Sequence, residues 1–234
     1  MTVHVLFAEP PRVGRTLPGL VEAGQLDAEE AKALAEAMVK DTAAAVAASG
    51  GDLLINYPPE VEGGGSDADP ETELQALIED VYSDPESVRY EPQVGASATA
   101  RIENACRHLL EEEDTASVAI LDGRAPILDR TDLDGASMKL RRSEMVVGPA
   151  PNGRVSYLGL SEPVELEGLN WPFHLGPLVE RAAAEGLDID FLELHPWVGD
   201  REGLQTVISL IGARRSADRR VPEHTAVAIE SLRH

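Results

Sequence analysis

The stretch DAEEAKALAEAMVKDTAAAVAASGGDLLINY, residues 27–57, decides the fold class. Leu34, Ala37, Met38, Ala45 and Val46 recur at helical spacing, and Asp27 stands where a side-chain oxygen caps free backbone N–H groups. Asp27 to Ala48 is therefore a predicted long helix. The run from Asp52 to Tyr57 is a predicted buried strand. Upstream, Thr2 to Ala8 reads as another buried strand, so the chain opens as strand, helix, strand.

The alternation continues. Helical patterns cover Glu71 to Tyr82, Ala98 to Leu110, Leu175 to Ala184, Glu202 to Ile211 and Glu223 to Leu232. Strands are expected near Val88 to Glu91, Ser117 to Leu121, Glu144 to Gly148, Val155 to Leu160 and Asp188 to Leu194. Strands interleaved with helices predict an α/β fold with a mainly parallel sheet and helices on both faces. The 234 residues suffice for one core, giving a single domain over 1–234. Pro58 to Pro70 is rich in proline, glycine and acid and is expected to be an exposed loop.

Charge narrows the partners. Asp and Glu number 42 against 20 Lys and Arg, a net charge of −22, which disfavours nucleic acid and anionic membranes. Only Lys32, Lys40 and Lys139 are lysines. A carboxylate-rich, lysine-poor chain suits a salt-saturated cytoplasm, where screening relieves self-repulsion. We therefore expect a halophilic, cytoplasmic protein. Cys106 is alone and forms no internal disulfide. The first residues lack the basic start of a signal peptide, and no apolar run reaches membrane-spanning length.

In sheets of this class ligands sit beyond the carboxyl ends of the strands, which singles out four loops. The first carries Arg12, Gly14 and Arg15 after the first strand; guanidinium groups there suit phosphate oxygens. The competing reading turns both arginines to solvent. The second, Asp122 to Pro126, ends a strand in an acid with Arg124 in the same turn. Asp122 is a candidate ligand for a divalent cation such as magnesium or manganese, against a plain salt bridge of Arg124 to nearby acids, with Asp132 capping the next helix.

Pro151-Asn152-Gly153, in the third loop, is a turn signal for a hairpin. The fourth holds His195, Trp197 and Asp200, the last well placed to cap the following helix. Arg214, Arg215, Arg219 and Arg220 form a basic cluster suited either to a phosphate or to balancing local acids. No P-loop, Gly-x-Gly-x-x-Gly, His-Glu-x-x-His, Cys-x-x-Cys or Gly-x-Ser-x-Gly pattern occurs.

Taken in order, AEPPRVGRTLPGL (8–20), LDAEEAKALAEAMVKDTAAAV (26–46), QVGASATARIENA (93–105), VVGPAPNGRVSYLGL (146–160) and LNWPFHLGPLVERAAAEGLDIDFL (169–192) carry a resemblance. The chain resembles the glycosyltransferase-like family of the nucleotide-diphospho-sugar transferase superfamily, relatives of guanylyl- and cytidylyltransferases. That resemblance implies a three-layer glycosyltransferase-A fold, a nucleotide or nucleotide-sugar ligand and a metal-binding aspartate.

The family's functional positions are altered. Anchored on Pro126, Arg124 stands in place of the metal aspartate and Asp122 lies two residues early. The loop lysine is missing, with Glu9 at an earlier lysine position and Arg15 the nearest cation. The family's acid-glycine-glycine turn reads Asn152-Gly153-Arg154, and of the late acidic pair only Asp200 is nearby. Two function classes follow. One is a nucleotide-sugar or nucleotidyl transferase with a rewired site, in which Arg12, Gly14, Arg15 and Arg124 hold phosphate, and Asp122 and Asp200 are the remaining metal candidates. The other is a binding or regulatory protein that keeps the fold without catalysis and needs no metal.

Overall fold

The computed structural model describes residues 1–59, 69–82 and 84–232. Its seven strands are β1 (Thr2–Phe7), β2 (Asp52–Tyr57), β3 (Arg89–Pro92), β4 (Ser117–Leu121), β5 (Met145–Ala150), β6 (Arg154–Leu160) and β7 (Ile189–Phe191). They form one sheet in the order β3-β2-β1-β4-β6-β5-β7. All neighbouring pairs are parallel except those of β6, which runs against β4 and β5. β5 and β6 are joined through Pro151–Gly153, the hairpin expected from the sequence.

The described residues form eight α-helices: α1 (Pro18–Glu22), α2 (Ala28–Ala48), α3 (Pro70–Ile78), α4 (Ala98–Arg107), α5 (Arg130–Lys139), α6 (Leu175–Ala184), α7 (Arg201–Ser216) and α8 (Glu223–Ser231). The parity of the strands sorts them. In β1, Val3 and Val5 join Ile102 and Cys106 of α4 and Leu178 and Ala182 of α6 in one core. Leu6 points to the other face and packs with Val39 and Val46 of α2, Leu74 of α3 and Leu133 of α5. The far side of α2, with Leu34 and Met38, packs on α1, α7 and α8. The result is the expected α/β domain with helices on both faces, extended by a further helical layer behind α2.

Local chemistry sets the boundaries. Asp27 accepts the N–H of Glu30 at 2.8 Å while the Glu30 carboxylate accepts that of Asp27 at 2.7 Å, a reciprocal cap worth about 1 kcal/mol. Most of the expected loop over 58–70 lies outside the described residues. Its end differs from expectation, because Asp69 accepts the N–H of Thr72 and Pro70 opens α3. The helix after β4 is capped by Asp129, and Asp132 answers as the third helical residue rather than as the cap. Expected strand 188–194 shortens to β7, after which the chain leaves the sheet toward Trp197.

Candidate functional site

Because β6 alone is reversed, the ends of β1, β2, β3, β4, β5 and β7 meet the start of β6 along one edge of the sheet. A cleft of about 520 Å³ opens there, lined by residues from both faces of the sheet. On the α4 side lie Phe7, Gln93, Arg101, Trp171 and Pro172; on the α2 side lie Arg15 to Gly19, Val39 and the turn Asp122 to Arg124.

The strand-end turn is the most strongly built part. Asp122 is buried, and Arg124 grips it with both arms of its guanidinium: Nε donates to Oδ1 and Nη2 to Oδ2, each at 2.8 Å. The Arg124 backbone N–H adds a bond to Oδ1 at 3.1 Å, and the indole Nε1 of Trp197 donates to Oδ2 at 2.9 Å. Four donors on one carboxylate satisfy its lone pairs and offset the cost of burying its charge.

Trp197 is itself fixed. The guanidinium carbons of Arg124 and Arg154 lie over its ring at 4.4 and 4.6 Å, the spacing of cation–π contact. The Val198 N–H donates to the Arg124 carbonyl at 2.7 Å. A Cβ on Gly199 would fall 1.8 Å from the Trp197 ring, so only glycine lets the chain turn back beneath that indole. The segment is tied down again by His195, whose N–H donates to Pro149 O and whose ring lies between Glu193 O at 2.9 Å and Asp132 Oδ2 at 3.1 Å. Burial alone would lower the His195 pKa, but Asp132 and the Glu193 carbonyl raise it; Asp132 in turn is held low by His195 against the opposite pull of burial.

The other sequence candidates separate. Arg15 lines the cleft with Asp122 and Arg124. Arg12 does not; its Nη2 donates to Glu73 at 2.6 Å, tying the first loop to α3. Gly14 sits in the left-handed region at φ 78°, a turn residue away from the lining. Asp200 caps α7 through the Gly203 N–H at 2.8 Å and reaches Asn152 at 3.4 Å, so it does not converge with Asp122.

This donor set does not fit the divalent ion implied by the resemblance. A hard cation wants free carboxylate oxygens, and those of Asp122 are taken by a guanidinium and an indole. Among the described residues no group of three or more His, Cys, Asp or Glu side chains could hold a metal.

Two cleft residues carry no signal in local sequence chemistry. Arg101 lies in the second turn of α4, where its Nε donates to Gly95 O at 3.0 Å and its Nη1 to Gln93 Oε1 at 3.3 Å. Gly95 has φ 148°, and a Cβ there would sit 2.8 Å from the Arg101 backbone nitrogen. The loop before α4 therefore passes close enough for Arg101 to clasp it. Trp171 comes from the irregular stretch after β6, pinned at the sheet edge where Val155 N–H donates to Phe173 O at 3.1 Å.

The class defined by this architecture is the nucleotide-diphospho-sugar transferase fold. A structure from Desulfovibrio desulfuricans G20, described as a nucleotide-diphospho-sugar transferase, superposes with a TM-score of 0.80 at 20% identity, over 98% of this chain and 94% of that one. A cytidylyltransferase from Leptospira borgpetersenii serovar Hardjo-bovis matches with a TM-score of 0.55 at 12% identity, over 99% and 92%. CMP:2-keto-3-deoxy-manno-octonic acid synthetase in complex with CTP matches at 0.50 and 14%, over 91% and 99%. At these identities the likeness establishes the fold. The family model described as an uncharacterized protein conserved in bacteria (DUF2064) matches residues 66–172. No curated protein matches the chain. Among the described residues no helix is long and apolar enough to cross a membrane.

Proposed function

We propose that this chain is a nucleotide-sugar or nucleotidyl transferase-like protein with a rewired site, which binds a nucleotide or nucleotide-linked sugar in the cleft without a divalent metal at Asp122. The observation that carries this reading is a local reversal of charge. In a chain of net charge −22, the described residues lining the cleft include Arg15, Arg101 and Arg124 against only Glu9 and Asp122. Asp122 is already paired with Arg124, which leaves Arg101 and Arg15 as the further cations among the described lining residues, and arginine forks suit phosphate oxygens. Preorganised guanidinium groups can also stabilise charge developing on a diphosphate leaving group, as transfer requires.

One observation favours a second reading, a binding or regulatory protein without turnover. Asp122, the buried carboxylate of the cleft, is fully engaged by its own neighbours and is not free to act as a base. The acidic, lysine-poor composition supports a salt-rich cytoplasm as the setting for either.

The experiment is calorimetry in molar potassium chloride with nucleotides and nucleotide sugars, in magnesium and again in chelator. Saturable binding that survives chelation and is lost in Arg124→Ala supports the rewired site; binding only with metal refutes it. Product analysis with any bound nucleotide sugar then separates the transferase from the silent scaffold.

A further inference from the structure

Aromatic residues are scarce in this chain, with three Phe, two Trp and four Tyr in 234 residues. Two of those Phe and one Trp nevertheless gather at the cleft. Trp171 lies edge to face with Phe7, ring centroids 5.5 Å apart at 69°, and with Phe173, 5.2 Å apart at 84°. Phe173 is wholly buried and Phe7 is the last residue of β1, so the indole is braced by two rings that cannot retreat. Trp171 remains half-buried and lines the cleft beside Pro172. Arg101 lies on this same side of the sheet; its Nε and Nη1 are spent on Gly95 and Gln93, and its Nη2 has no partner among the described residues. The cleft is thus divided: Arg15 and Arg124 on the α2 side, an aromatic wall with a guanidinium donor on the α4 side.

We infer that Trp171 is the platform on which a ring of the ligand stacks, presenting its apolar face to the indole while Arg101 Nη2 donates to an oxygen at the ring's edge. This rests on the reading of the cleft as a nucleotide site and adds to it the position of the ring relative to the phosphates. A nucleobase and a pyranose share the required chemistry, a flat or C–H-rich face with polar edge groups. An anion lacking a ring would gain nothing from Trp171. The indole is a binding and specificity residue in this scheme, with no part in proton transfer.

The test compares the full chain with Trp171→Ala and Trp171→Phe by calorimetry, using CTP, UDP-glucose, glucose 1-phosphate and inorganic pyrophosphate as probes. Loss of a stacking surface weakens a ringed ligand between about fivefold and about a hundredfold. The expected result is a loss of that size for at least one ringed probe in Trp171→Ala, part of it restored in Trp171→Phe, with pyrophosphate bound as in the parent. CTP against glucose 1-phosphate then tells whether base or sugar occupies the platform. An equal loss for pyrophosphate, or ringed probes bound as tightly by Trp171→Ala as by the parent, overturns the platform and leaves the anion site standing. Failure of the parent to bind any of the four overturns both.

Discussion

Replacing His4 by valine should remove most of the acid sensitivity that burial of this imidazole imposes. His4 sits in β1 on the α2 face, essentially without exposure, and packs so closely on Gly51 that a Cβ there would lie 2.4 Å from its ring. Neither ring nitrogen makes a hydrogen bond of ordinary geometry. Burial, only partly opposed by the charge of Asp134 and by the Asp52 backbone, pushes its pKa down from 6.5 to about 4. In that window the unfolded chain binds a proton that the folded chain refuses. This contribution is therefore intact above pH 6.5 and is lost as pH falls toward 4. Between pH 7.5 and 4.5 the loss is about 2.5 kcal/mol, at about 1.4 kcal/mol per pH unit of unequal protonation. Urea unfolding of the parent and His4→Val at both pH values and one ionic strength measures it. Acid also relieves the self-repulsion of the 42 carboxylates, but that is common to both proteins and cancels in the difference. Identical pH dependence for the two would refute the argument.

Arg124→Met leaves Asp122 buried with an indole and one backbone N–H, and should cost about 2–3 kcal/mol, less than a wholly buried pair because the Arg124 side chain keeps 31% exposure. Adding Asp122→Asn should recover part of the loss, and purely additive effects in urea unfolding would show that the two residues are not coupled. Asp132 raises the His195 pKa against the opposite pull of burial, so this contribution is full below the unfolded value near 6.5 and fades as pH rises through the higher folded pKa. Unfolding at pH 6 and pH 9 should show a larger stability difference in the parent than in His195→Gln, and an equal difference in both would count against the clasp. Raising potassium chloride from 0.1 to about 1 M shortens the screening length from about 10 to about 3 Å and should raise the melting temperature of a chain this acidic. A melting temperature indifferent to salt would dispose of the halophilic assignment.

The fold was legible where a single physical rule acts over neighbouring residues. Ser117 to Leu121 is buried at all five positions, as an apolar run in a covered central strand must be, and Leu175 to Ala184 matches its helical pattern end to end. Asp27 and Asp200 cap the helices that follow them, because an N-cap bond spans only three residues. The candidate site was legible in part. Asp122, Arg124 and Arg15 share a cleft, whereas Arg12 is drawn to Glu73, 61 positions away, by a contact no local pattern encodes. Arg101 and Trp171 stayed hidden for the same reason. On its helix Arg101 reads as an ordinary surface cation, and Trp171 reaches the cleft only when the chain after β6 returns to the end of β1.

The reversal of β6 has a consequence for how such a protein could diversify. A β6 parallel to β5 would have needed a helical crossover; the hairpin at Pro151–Gly153 replaces it with three residues at the end of the sheet where the strand-end turns gather. Asn152 in that bend reaches Asp200 and Arg154 just after it lies over Trp197, while the opposite ends of the two strands stay locked in the sheet. Insertions at this bend would thus change the surroundings of Trp197, the indole that holds Asp122, without shifting the register of any strand, which makes it the natural place to graft new surface onto an unchanged scaffold.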